Sequence, residues 1–149
     1  MKIIVTGGAG FIGSHVADAL LASGHEVLVL DDLSTGRRHN VPERAKFVAG
    51  DIRDGALVAK VFADFQPDVV THQAAQTSVA ISTREPLRDA EINVLGSLNI
   101  LQSCVKHEVK QIVFASTGGA IYGEVPDGVR AGEATTAPNP LSPYACSKF

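Results

Sequence analysis

Several kinds of chemistry are missing from this sequence. It holds only two cysteines, Cys104 and Cys146, too few and too isolated for a disulfide framework or a zinc site. His15, His25, His39 and His107 are scattered without ligand spacing, so no metal is expected. A net charge of −3 leaves no basic footprint for nucleic acid. No apolar run approaches the ~20 residues of a membrane span. Met1 leads directly into Ile3, Ile4 and Val5, leaving no room for a charged leader region and a cleavage site. Internal repeats and low-complexity tracts are absent too. The expectation is a cytoplasmic protein with reduced cysteines. A hydrophobic content of 45% against 19% charged residues is ordinary for a folded chain, and 149 residues suffice for one domain with a real core.

What is present is a strand–helix alternation. Lys2–Thr6 reads as a strand, and Phe11–Ser23 as a helix whose face carries Ile12, Val16, Leu20 and Leu21. Gly24 ends that helix. Glu26–Leu30 and Ala45–Ala49 are further strands, and Asp54–Phe65 is a helix with Leu57, Val58, Val61 and Phe65 on one side. Asp68–His72 follows as a strand. Pro86 opens a long helix in which Leu87, Ala90, Val94, Leu98, Leu101 and Val105 recur every three or four residues. Lys110–Ala115 is the fifth strand, and residues 116–143 read as a loop. Such alternation implies an α/β fold: a doubly wound, Rossmann-type parallel sheet of order 3-2-1-4-5, with ligands at the carboxyl ends of its strands.

The first turn shows what could bind there. In TGGAGFIGSH, Gly7, Gly10 and Gly13 fall between a strand and a helix, where glycine is costly unless bulk must be excluded. A helix N-terminus binds anions, and a pyrophosphate reaches its N–H groups only across a turn without side chains. Asp31 lies 18 residues beyond Gly13, at the end of the second strand, where a carboxylate accepts hydrogen bonds from a ribose. The same carboxylate repels a 2′-phosphate, so NAD is expected in preference to NADP. His72 follows a strand and is expected to pack or hydrogen-bond.

Further motifs carry a resemblance. The spacing G-x-x-G-x-x-G is similar to that of the short-chain dehydrogenase/reductase superfamily, and the likeness runs along the whole chain. Asp51-Ile52 resembles that superfamily's adenine-contacting pair, and Gln73-Ala74-Ala75 its cofactor-lining segment. Asn93 matches its buried helical asparagine. Ser116-Thr117-Gly118-Gly119, followed by Ile121-Tyr122-Gly123, resembles the segment with the catalytic hydroxyl. Tyr144-Ala145-Cys146-Ser147-Lys148 fits Y-x-x-x-K. The set points to the extended branch, and DDLSTG, STGGAIYGE and SPYACSK most resemble the UDP-glucose 4-epimerases and related sugar-nucleotide epimerases.

The resemblance implies catalysis by Thr117, Tyr144 and Lys148, with Ser116 as the alternative hydroxyl. The implied cofactor set is Gly7, Gly10, Phe11, Ile12, Gly13, Asp31, Asp32, Asp51, Ile52, Gln73, Ala74, Ala75, Gln76, Asn93, Ser116, Tyr144 and Lys148. Tyr144 and Lys148, four apart, share a helix face, and an ammonium beside a phenol favours the phenolate. Related dehydratases follow the catalytic Thr with Asp-Glu, and decarboxylases place Glu nearby. Gly118-Gly119 supply neither, which leaves reversible hydride transfer, as in 4-epimerisation of a UDP-sugar by a homodimeric enzyme. Family members continue past Phe149 with further strands and a sugar-nucleotide domain. Residues 1–149 are therefore expected to be an NAD-binding domain truncated before them. A dinucleotide-binding module without turnover, or another extended-family enzyme, is the alternative.

Overall fold

A computed structural model describes all 149 residues. By its packing the chain forms two compact units, Met1–Ala75 with Leu95–Ala115, and Gln76–Val94 with Ser116–Phe149.

The larger unit holds the sheet. Its strands are β1 (Lys2–Thr6), β2 (Glu26–Asp31), β3 (Lys46–Ala49), β4 (Val69–His72) and β5 (Gln111–Phe114). They lie in the order β3-β2-β1-β4-β5 and every pairing is parallel, as the alternation predicts. Successive side chains enter opposite faces. Ile4, Leu28, Leu30 and Val70 pack with Val58, Val61, Phe62 and Phe65 of α2 (Gly55–Phe65) and Ile100 and Cys104 of α5 (Ser97–Lys106). Val5, Val27 and Val29 pack with Ala17 and Leu21 of α1 (Phe11–Ala22) on the other side. Both faces of β1 and β2 are thereby covered, which explains their unbroken apolar runs. Asp54 caps α2 by accepting the Leu57 N–H at 3.0 Å.

Some expectations fail. In α1 the inward residues are Gly13, Ser14, Ala17 and Leu21, whereas Ile12 is 65% exposed. The long helix is not continuous: α4 (Pro86–Ala90) passes through a π-helical stretch, Glu91–Gly96, into α5. A π turn takes up an extra residue and rotates the helix beyond it. In α5 the stripe Leu98, Leu101 and Val105 faces outward, at 45%, 43% and 81% exposure. The inward face carries Ile100, Ser103 and Cys104 instead. Small residues let the helix approach the sheet, so the most apolar stripe does not mark the buried one.

The smaller unit contains α3 (Val79–Arg84), α4, α6 (Gly118–Ile121) and α7 (Pro143–Ser147). Two of these depart from the sequence reading. α3 was not anticipated from its β-branched composition; Ser78 caps it, accepting the Ile81 N–H. α6 is a single turn within the stretch expected to be wholly loop. No helix is long and apolar enough to cross a membrane.

Candidate functional site

In the larger unit, the turn after β1 brings its glycines together for distinct reasons. Gly7 has φ +67°, and a Cβ on it would stand 2.6 Å from the Ala74 nitrogen. A Cβ on Gly13 would meet the Gly7 carbonyl oxygen at 2.2 Å. Both glycines are required by the fold itself. Gly10 differs: its Cβ would meet only the Gly7 oxygen, at 3.3 Å. Gly10 is also the N-cap of α1; it has no side chain to offer the first-turn N–H groups, and no acid lies in that turn. Phe11 and Ile12 are exposed there. An uncapped helix N-terminus behind an open glycine fits a bound pyrophosphate.

Asp31 is 7% exposed at the end of β2. Its Oδ2 accepts the Ala9 N–H at 2.9 Å and its Oδ1 the Leu33 N–H at 2.8 Å. The carboxylate thus clamps the glycine turn, and each oxygen keeps a further acceptor site for a ribose hydroxyl. Asp32 is exposed and accepts from Ser34. Asp51 is held by Arg53, which donates from its main chain, Nε and Nη2. Those bonds keep the Asp51 carboxyl below the usual carboxylate range. The Ile52 side chain belongs to the core. After β4, Gln73 donates to Thr71 Oγ1 and the Ala74 N–H to Thr6 Oγ1. His72 is buried; Nδ1 lies 2.6 Å from Thr6 Oγ1 and Nε2 2.9 Å from Ser97 Oγ, the hydrogen-bonding role expected of it.

In the smaller unit a second set converges. Asn93 is buried and donates to the Gln76 carbonyl, Asp89 Oδ1 and Ser147 Oγ, while Oδ1 accepts the Gln76 N–H. Gln76 Nε2 donates to Asp89 Oδ1 at 2.9 Å. These bonds hold Asn93 and Gln76 within the protein framework. Asp89, 1% exposed, gave no sequence signal, because an acid in an apparently exposed helix turn reads as surface. Tyr144 and Lys148 sit on one turn, the Lys148 N–H donating to the Tyr144 carbonyl at 3.1 Å. Burial pushes Lys148 down from 10.5 to about 8, against the opposing pull of the Asp89 charge. Ser116 Oγ donates to the Lys148 carbonyl at 2.7 Å, whereas Thr117 spends no side-chain bond in capping α6.

The geometry agrees with comparisons to known proteins. Over 153 residues the chain is 41% identical to the UDP-glucose 4-epimerase of Mycolicibacterium smegmatis, covering 99% of this chain and 48% of that protein. Two solved structures superpose closely. The Thermus thermophilus UDP-glucose 4-epimerase in complex with NAD is 55% identical, with a TM-score of 0.96, over 99% of this chain and 47% of that one. The Thermotoga maritima UDP-glucose 4-epimerase with UDP-glucose is 48% identical, with a TM-score of 0.93, over 99% and 48%. The chain therefore spans about half the length of these relatives. The match to the family itself runs over residues 3–149, from the first strand through the Tyr-Lys turn, and this chain belongs to the NAD dependent epimerase/dehydratase family.

Proposed function

We propose that residues 1–149 form the dinucleotide-binding domain of a UDP-hexose 4-epimerase, which interconverts UDP-glucose and UDP-galactose through a transient 4-keto sugar. The observation that carries this reading is Tyr144 one helical turn from a buried Lys148. NAD, when bound, supplies the acceptor and donor of hydride at the sugar carbon. The Gly7–Gly13 turn holds its pyrophosphate and Asp31 its adenine ribose. Tyr144 takes the proton of the C4 hydroxyl and returns it, and the Lys148 cation favours the phenolate. Thr117 orients that hydroxyl, since Ser116 is committed to the Lys148 carbonyl. Dehydration is disfavoured for a chemical reason: Gly118 and Gly119, which follow Thr117, carry neither an acid nor a base for the elimination of water. The outward stripe of α5 supports association of two copies.

The test is a UDP-galactose assay on the complete gene product and, in parallel, on residues 1–149. Formation of UDP-glucose by the complete protein supports the epimerase; we propose that residues 1–149 alone bind dinucleotide without turnover. Absence of product from both would overturn the epimerase reading. Asp31 also sets selectivity: NAD is expected to bind at least about tenfold more tightly than NADP, because a carboxylate opposes the added phosphate. Equal dissociation constants at one ionic strength would refute this.

Lys148 gives the pH dependence its sign. Its charge is lost as pH rises through about 8, so turnover that depends on the cation should fall above that value. Stability moves the other way. The folded value lies below 10.5, so the unfolded chain binds the extra proton between about 8 and 10.5, and this group's contribution to stability rises across that window. A rate profile and a set of melting curves over the same pH range separate the two effects. A flat rate profile from pH 7 to 10 would remove Lys148 from the mechanism.

A further inference from the structure

The turn after β3 is held by the start of α5, in contacts confined to the larger unit. Asn99 donates through Nδ2 to the carbonyls of Ile52 at 2.9 Å and Arg53 at 3.0 Å. Two glycines make room for this. A Cβ on Gly96 would lie 2.7 Å from Ile52 Cδ1, and one on Gly55 would lie 3.3 Å from Asn99 Oδ1. Asp51 begins the same turn, and its carboxylate is fixed by the Arg53 N–H at 2.8 Å and Nε at 2.8 Å. The residue that fixes Asp51 is thus one of the two whose carbonyls Asn99 takes up. A carboxylate so fixed still has acceptor capacity, the complement of an exocyclic amine.

We propose that Asn99 is a positioning residue for base recognition: by binding the Ile52 and Arg53 carbonyls it sets the place of the Asp51 carboxylate, which accepts the exocyclic amine of adenine. This rests on the dinucleotide reading above and on the adenine contact that the resemblance implies for Asp51; what it adds is the Asn99 clamp on the turn that carries that contact. Both Nδ2 protons are used, so the isosteric Asn99→Asp leaves the two carbonyls without a donor and sets a negative charge against them. Asn99→Ala removes the donor with a residue that suits a helix.

The experiment is calorimetric titration of the complete gene product with NAD and with nicotinamide hypoxanthine dinucleotide, in which a carbonyl oxygen replaces the amine. The wild type should prefer NAD by about tenfold, the scale of one hydrogen bond to a charged acceptor. Asn99→Asp and Asn99→Ala, checked by circular dichroism as folded at the titration temperature, should bring the ratio close to one. A general loss of stability would weaken both ligands alike and leave the ratio unchanged. Either folded variant retaining the wild-type preference overturns the proposal. So does a wild type that binds both ligands equally, because Asp51 then reads no amine. A wild type that binds neither ligand overturns the dinucleotide reading, and this proposal with it.

Discussion

Replacing Tyr144 with phenylalanine is expected to lower epimerase turnover about a thousandfold, within the range for loss of an acid–base group. The substitution removes one oxygen and keeps the ring, so α7 should keep its fold. Ser142 still caps it by accepting the Ala145 N–H, and the Lys148 N–H still donates to the residue 144 carbonyl. NAD affinity should fall far less than turnover, because the phosphate and ribose contacts proposed for Gly7–Gly13 and Asp31 are untouched. Stopped assays with UDP-galactose, beside NAD titrations on the same sample, read the two quantities separately. Near wild-type turnover would eliminate Tyr144 as the base. The neighbouring hydroxyls differ in kind: Thr117→Ala should slow turnover with stability kept, whereas Ser116→Ala removes the bond to the Lys148 carbonyl and should loosen α7.

Gly10→Val is the second large effect, and the structure sharpens it. At Gly7 or Gly13 an added Cβ collides with backbone within 2.6 Å, so substitutions there test folding rather than binding. Gly10 has φ −77°, which any residue adopts, and its Cβ would approach only the Gly7 oxygen, at 3.3 Å. A valine at position 10 should therefore fold but cover the N–H groups at the start of α1. The expected loss of NAD affinity is at least about a hundredfold, roughly 2.7 kcal/mol. Melting temperature and NAD titration measured together decide this. A folded Gly10→Val chain with wild-type affinity would show that the pyrophosphate does not approach this turn.

The sequence by itself determined the sheet and the glycine turn at its carboxyl edge. Parallel strands buried on both faces must be continuously apolar, and Lys2–Thr6 and Glu26–Leu30 are legible for that reason alone. The glycine spacing was equally legible, since glycine is costly where a strand passes into a helix unless bulk must be kept out; the structure then separates Gly7 and Gly13, which packing demands, from the open Gly10. Boundaries moved by a residue or so where caps decide them, as at Asp54. Tertiary structure decided the rest. Periodicity finds the most apolar stripe of a helix, but in α5 the buried stripe is the one small enough to approach the sheet, with Ser103 and Cys104 inward and Leu98 and Leu101 outward. The π turn before it follows from no local propensity. Asp89 and Asn99 are similarly silent in sequence: each acquires its role from a distant partner, Gln76 at 13 residues and Ile52 at 47, through contacts that exist only once the chain has folded.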